Sequence, residues 1–189
     1  MNYSDNGKRL LDLAISLPAL LILSPVFLVS AILILIDDGR PIFFTQDRVG
    51  RARSIFRVYK FRSMHAGIGD IPSATAPTHV ITRVGAVLRR TNIDELPQLI
   101  NVVKGDMSIV GPRPPLPSQA SLLHTRSIHG GENLRPGLTG LAQINGYDGM
   151  TEEDKGYLDA EYEKKISFTT DCVIILKTFG YLFRKPPVY

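Results

Sequence analysis

Tryptophan is missing, cysteine occurs once and histidine four times in 189 residues. A lone thiol, Cys172, excludes an intramolecular disulfide framework and a multi-cysteine zinc site. It lies in an apolar run and reads as a small core or interface residue. Neither a Ser-His-Asp signature nor an H-E-x-x-H stretch is present, which sets aside those hydrolytic chemistries. There is no low-complexity tract and no repeat at solenoid spacing. Acids are the scarcer sign: 18 Asp and Glu against 22 Lys and Arg leave a net charge of +4 and a pI near 9.3. A mild basic excess favours anionic partners such as phosphates, acidic lipid headgroups or nucleic acid. The length suits one compact domain plus an appendage.

Charge is absent over residues 15–36, ISLPALLILSPVFLVSAILILI, a run of 22 positions (36 − 15 + 1). That length alone is enough to span a bilayer. It exceeds the apolar core of a cleaved signal peptide, and no small-x-small cleavage site follows it. Ser24-Pro25 stands at its middle, where proline leaves the Leu21 carbonyl without its helical partner and the serine hydroxyl is placed to satisfy it. Both flanks are basic: Lys8 and Arg9 before, then Arg40, Arg48, Arg51, Arg53, Arg57, Lys60 and Arg62 after. The positive-inside rule therefore assigns both ends to one side. Each half covers only about half of a ~30 Å hydrocarbon core at ~1.5 Å per residue. We expect a helix–break–helix that dips into one leaflet and returns, in preference to a kinked span.

After Asp37-Asp38-Gly39, residues 41–45 and 55–62 read as a hairpin with its turn around 47–53. Phe56, Val58, Lys60 and Arg62 share one face by the two-residue period. Two cations on that face suit a diphosphate, or equally an edge-strand or headgroup role. Residues 65–80 read as a loop, and 81–90 as a short amphipathic helix ending in Arg89-Arg90. Those arginines suit pairing with the acids that follow or a substrate phosphate.

Those acids, Asp94 and Glu95, open the stretch TNIDELPQLINVVKGDMSIVGPRP. Leu96, Leu99, Ile100 and Val103 recur at helical spacing, with Pro97 in the first turn and Lys104-Gly105 as the stop. Asn92-x-x-Glu95 also fits a capping box, so the pair reads both as a cap and as an acidic dyad. A short strand at 107–110 leads into Gly111-Pro112-Arg113-Pro114, where two prolines stiffen the turn that aims Arg113. Acids beside a pre-aimed arginine suit a phosphate and its metal ion. Further on, a polar helix is expected after Pro117, ending near His129-Gly130-Gly131. In LRPGLTGLAQ a Pro-Gly turn precedes a strand, with Gly137 and Gly140 allowing close approach of a ligand. Residues 152–165 read as a charged, solvated helix. Residues 171–184 carry an apolar stripe that fits either the membrane interface or packing on the domain.

Taken together, the broken apolar run with Ser24-Pro25, PIFFTQDRVG, YKFRSM, IDELPQLINVVKGDMSIVGPRP and LRPGLTGLAQING resemble a small monotopic phosphoglycosyl transferase, of the bacterial sugar transferase family. The likeness runs from about Lys8 to Leu182 and looks like the minimal catalytic unit. It implies an α+β fold: a re-entrant membrane helix over residues 1–38, then a cytosolic catalytic domain over 39–189 on the membrane surface, with an interfacial C-terminal helix. The activity it implies is transfer of a sugar 1-phosphate from a UDP-sugar to undecaprenyl phosphate, with UMP released and Mg²⁺ required. The family's acidic dyad falls on Asp94 and Glu95, Asp94 being the nucleophile and metal ligand. Its phosphate-binding cations fall on Lys60, Arg89 and Arg113, with Arg62 beside Lys60. Its nucleotide segment falls on 136–143, which adds Arg135, Pro136 and Gln143 to the expected substrate contacts. The implied partners are the two substrates and membrane lipid, not nucleic acid, at the cytoplasmic face of a bacterial inner membrane; oligomerisation stays open. Two rivals would reuse the same residues: a membrane-anchored metal-dependent phosphohydrolase and a non-catalytic membrane-surface scaffold.

Overall fold

The computed structural model describes residues 3–67, 77–146 and 150–182. Expectations for residues 68–76 of the loop and for Phe183, Arg184 and Lys185 lie outside the described residues. The fold is α+β. Helices α1 (Lys8–Ile22), α2 (Ser24–Asp38), α3 (Arg83–Arg90), α4 (Gln98–Lys104), α5 (Ala120–His129), α6 (Leu141–Gly146), α7 (Glu152–Lys164) and α8 (Phe168–Leu182) surround two small sheets. One sheet is the antiparallel hairpin β1 (Phe43–Val49)–β2 (Ile55–Phe61); the other pairs β3 (Ser108–Val110) in parallel with β4 (Gly137–Thr139).

The apolar run breaks at Leu23, where α1 and α2 meet at a bend of 57°. The cause is the one the sequence names. Pro25 cannot donate to the Leu21 carbonyl, which accepts instead from Ser24 Oγ at 2.8 Å. Among the described residues no single helix is long and apolar enough to cross a membrane; α1 and α2 meet that test only as a bent pair. Leu17, Leu21, Ile22, Leu28 and Ile36 lie exposed along the pair.

The opposite face of α1 is polar and buried: Lys8, Asp12 and Ser16, at i, i+4 and i+8. Lys8 Nζ donates to Asp171 at 2.6 Å and to the Tyr162 hydroxyl at 2.9 Å. Asp12 Oδ1 accepts from Ser108 Oγ and from the Ile109 amide, both at 2.8 Å. Arg9 donates to the Val102 and Val103 carbonyls at 2.5 and 2.7 Å, so it neutralises the negative end of α4. The far end of the pair is held as firmly. Arg62 Nη2 donates to the Asp38 carbonyl at 2.8 Å and pairs with its carboxylate at 3.0 Å, while Asp37 accepts from the Val84 amide that opens α3 at 2.9 Å.

Strand β1 begins and ends later than expected, because Asp47 and Arg48 pair in the ladder (Asp47↔Arg57, Arg48↔Phe56) instead of turning. Alternate residues of this strand face outward, where charge is readily tolerated. The principal core gathers Val58, Leu99, Val102, Met107, Val110, Tyr162 and Ile174; a second cluster joins Ile34 of α2 to Phe61 and Leu88. Helix α7 is less solvated than its charge suggests. Gly156, Asp159, Ala160 and Tyr162 are buried, with Asp159 neutralised by Arg126 of α5 at 2.7 Å. The apolar stripe of α8 divides: Ile174 enters the core, whereas Val173, Leu176 and Phe179 stay exposed.

Candidate active site

The dyad does not open an α-helix. Asp94 and Glu95 sit in a 3₁₀ turn, Ile93–Glu95, and α4 starts only at Gln98 with Pro97 at its cap. Nor does the capping box form. Asn92 is left-handed at φ 55° and makes no side-chain cap bond. Glu95 turns away because two cations claim it: Oε1 accepts from Lys60 Nζ at 2.6 Å and from Arg113 Nη2 at 3.0 Å. Charge-assisted bonds of this kind outweigh a neutral cap. The two acids therefore hold separate surroundings, Glu95 tied into the cation pair and Asp94 buried without a hydrogen bond from any described residue.

Three elements bring the cations here. Lys60 comes from β2, which α4 grips through Asn101: its Oδ1 accepts from the Tyr59 amide at 3.0 Å and its Nδ2 donates to the Arg57 carbonyl at 2.7 Å. Asn101 is fully buried, as is Gln98, so the inner face of α4 is set by Leu99 and Val102 with these amides rather than by the apolar quartet of the sequence pattern. Arg89 ends α3 and donates Nε to Ser63 Oγ at 2.9 Å. The helix sits that close to Ser63 because Gly85 faces it; a Cβ there would meet the Ser63 carbonyl oxygen at 2.1 Å. Arg113 stands on the Gly111-Pro112-Arg113-Pro114 turn after β3.

Electrostatics separate the acids further. Burial pushes the Asp94 carboxyl up to about 6, with the Glu95 charge adding to it and Lys60, Arg89 and Arg113 opposing. Burial also disfavours a charged Glu95, but Arg113 and Lys60 overcome it and hold that carboxyl far below the usual carboxylate range. Asp94 is thus a poorly solvated carboxylate poised near neutrality, and Glu95 a permanent anion that organises the cations.

The structure brings Lys60, Arg89 and Arg113 to the dyad and does not bring Arg62, which lies past the end of β2 and is committed to Asp38. The segment carrying Arg135, Pro136 and Gln143 lies beside the Arg113 turn. The Pro136 carbonyl accepts from the Ser108 amide at 2.7 Å, and β4 pairs with β3. Gly137 and Gly140 approach backbone there, not an open ligand space: a Cβ at either would come within 2.1 Å of Gly111 atoms. Gln143 is buried, and both atoms of its amide are without a hydrogen-bond partner. Among the described residues, no group of three or more His, Cys, Asp or Glu could hold a metal ion. Among the described residues the carboxylates at this site are those of the dyad, a set that would suit a hard cation keeping its waters and sharing phosphate oxygens rather than a closed protein cage. Sequence reasoning missed Asn101, Arg9 and Asp12, which place the elements of the site; the i, i+4, i+8 spacing of Lys8, Asp12 and Ser16 was the available signal for α1.

A carboxylate pair ringed by cations is an arrangement that can bind a phosphorylated substrate. The profile of the bacterial sugar transferase family matches residues 3–185. The chain is 45% identical over 154 residues to an exopolysaccharide production protein, PSS, of Rhizobium leguminosarum bv. phaseoli, an alignment covering 77% of this chain and 76% of that one. It is 35% identical over 194 residues to a UDP-glucose:undecaprenyl-phosphate glucose-1-phosphate transferase of Caulobacter vibrioides, covering 98% and 73% of the two chains. An undecaprenyl-phosphate glucose phosphotransferase of Komagataeibacter xylinus is 40% identical over 184 residues; the alignment covers 90% of this chain and 35% of that longer one. The chain belongs to the bacterial sugar transferase family and is a phosphoglycosyl transferase.

Proposed function

We propose that this chain transfers a sugar 1-phosphate from a UDP-sugar to undecaprenyl phosphate in two steps through Asp94. In the first, an Asp94 oxygen attacks the β-phosphorus. The bond from that phosphorus to the bridging oxygen breaks, and UMP leaves with the bridging oxygen and its electron pair. In the second, a phosphate oxygen of the lipid attacks the same phosphorus; the acyl phosphate bond breaks, Asp94 returns as a carboxylate, and a polyprenyl diphosphate sugar is formed. The observation that carries this reading is a buried carboxylate raised to about 6, without a hydrogen-bonded partner among the described residues and acted on by the charges of Lys60, Arg89 and Arg113. Burial keeps the nucleophile poorly solvated, and the three cations offset the repulsion between a carboxylate and a diphosphate. Magnesium fits as an ion shared between Asp94 and the diphosphate, where it would supply further neutralisation of the leaving charge. Glu95 holds Lys60 and Arg113 in place, a positioning role distinct from that of Asp94.

The helix pair supports a re-entrant anchor on the cytoplasmic face of the inner membrane. Its first end is bound to α4, β3 and α8 and its second to Arg62 and α3, so both ends return to one catalytic unit. The exposed apolar residues of the pair and of α8 would then meet lipid.

The test is a burst. Mixed with UDP-sugar and no lipid, the enzyme should release UMP in an amount equal to the enzyme present and gain a sugar-phosphate mass on the peptide containing Asp94. Asp94→Asn should abolish both. Continuous UMP release without lipid would favour a phosphohydrolase, and a burst without any adduct would sink the covalent step.

A further inference from the structure

The turn that carries Arg113 is held in an unusual way. Residues 112, 114 and 115 are prolines and have no amide to donate, so beyond the Gly111 amide, which donates to Thr139 O at 2.8 Å, the turn is tied down through its carbonyls. Each of the four successive carbonyls is occupied by a different donor. Pro112 O accepts from the Gly137 amide at 2.8 Å and Pro115 O from the Val49 amide at 3.0 Å. Between them, Arg113 O accepts from Arg126 Nη2 at 3.0 Å and Pro114 O from Arg48 Nη1 at 3.1 Å. The charges that act most strongly on Asp94 are those of Glu95, Lys60, Arg89 and Arg113.

Arg126 is only 7% exposed and is fixed in turn by Asp159, which accepts from its Nε at 2.8 Å and pairs with Nη2 at 2.7 Å. A neutral side chain would have served to bury that space. A desolvated ion pair is costly unless its remaining protons are used, and the Arg113 carbonyl uses one. Arg48 Nη2 is likewise steadied, by Gln46 Oε1 at 2.6 Å.

We propose that Arg126, set by Asp159, and Arg48 are positioning residues: two guanidiniums that clamp the backbone of the Arg113 turn and so fix where its side chain meets the diphosphate. This inference rests on the proposed activity for its kinetic consequence, but the clamp itself is independent of it. The Arg113 side chain is 41% exposed, against 13% for Lys60. Its aim therefore depends on the position of its backbone as well as on the pairing with Glu95. A misplacement of about 1 Å at such a group costs up to roughly 100-fold in rate.

A double-mutant cycle separates clamping from general stability. UMP release is measured with UDP-glucose or UDP-galactose and undecaprenyl phosphate, for Arg126→Gln in the wild-type and in the Arg113→Ala backgrounds. We expect a loss in kcat/KM of roughly 10- to 100-fold in the first and less than about threefold in the second, with equal drops in Tm. Equal losses in both backgrounds, or none in either, would overturn the proposal. Should Arg126→Gln not fold, Arg48→Gln on the hairpin runs through the same cycle with the same two outcomes. A second readout needs no turnover: the ¹⁵Nη resonances of Arg113, resolved when the guanidinium is fixed, should collapse in Arg126→Gln. An unchanged Arg113 pattern in that variant overturns the clamp, whereas a wild-type enzyme inert with every UDP-sugar counts against the proposed activity instead.

Discussion

Replacing Glu95 by glutamine should make Asp94 more acidic, the reverse of what loss of a nearby anchor might suggest. The Asp94 carboxyl is raised to about 6 from an ordinary 3.8, a difference of roughly two pH units (6 − 3.8), or about 3 kcal/mol against its charged form. Burial is the largest cause and the Glu95 charge the next, with Lys60, Arg89 and Arg113 opposing both. Glutamine removes the repulsion and leaves the burial. It also frees the charges of Lys60 and Arg113, now spent on Glu95 at 2.6 and 3.0 Å, to act on Asp94. All three changes to the charge balance act in one direction, so the midpoint should fall by about one pH unit, equivalent to about 1.4 kcal/mol. The measurement is the ¹³C shift of aspartate-labelled protein titrated in detergent with a chelator present. The acid limb of kcat/KM should move the same way, even though its plateau falls as Lys60 and Arg113 lose their anchor. Because the proposed attack requires an ionised Asp94, the wild-type rate should fall about tenfold per pH unit below about 6. A midpoint that stays at or above 6 in Glu95→Gln, or a wild-type midpoint near 4, would refute the electrostatic account of the dyad.

Excess EDTA should stop turnover and Mg²⁺ or Mn²⁺ restore it, since carboxylates and phosphate oxygens are the ligands on offer; full activity in chelator would remove the metal from the mechanism. Asn101→Ala should cost about 1–3 kcal/mol of stability in denaturant unfolding, because it removes a buried amide and strands the part-buried Tyr59 amide and Arg57 carbonyl together. A loss below about 0.5 kcal/mol would mean that β2 and α4 hold together without it. Cysteines placed at the exposed positions Asn6 and Arg40, in a Cys172→Ser background, should react from the same side of sealed inverted vesicles, and opposite-side labelling would show that the helix pair spans.

The parts of the fold that were legible in the chain are those set by local chemistry. Pro25 breaks the apolar run and Ser24 repairs it, Gly105 ends α4 in a left-handed cap at φ 95°, and the period-two pattern marks β2. What was illegible depends on partners far away in sequence. Nothing around Asn101 tells that a polar residue on an apolar helix will be fully buried, since its partners come from Arg57 and Tyr59. Arg9 reads as a topogenic flank charge and turns out to cap a helix more than ninety positions away. The Asn92-x-x-Glu95 pattern is a sound local cap that loses to Lys60 and Arg113, two cations that only the tertiary fold delivers. Gly137 and Gly140 read in the sequence as places where a ligand comes close, whereas the close neighbour is the backbone of Gly111.

The buried polar contacts of this chain fall at the joints between its elements, and that placement explains how so small a domain holds a cationic site in register. Leucine and valine pack almost as well after a slip of one turn, whereas Asp12 finds Ser108 and Ile109, and Asn101 finds Arg57 and Tyr59, in one register only. The α1–α2 pair carries such a joint at each end: Lys8 to Asp171 in front, Arg62 to Asp38 behind. Arg62 lies two residues beyond Lys60, so the strand that presents a cation to the dyad is the same one that holds the end of α2. Tilting the pair would therefore load β2 directly, and an anchor tied at only one end would leave Lys60 free to drift from Glu95. Fixing both ends to the catalytic unit makes the helix pair part of the site's framework: Lys8, Arg9 and Arg62, which the sequence offers as a topology signal, serve as structural ties.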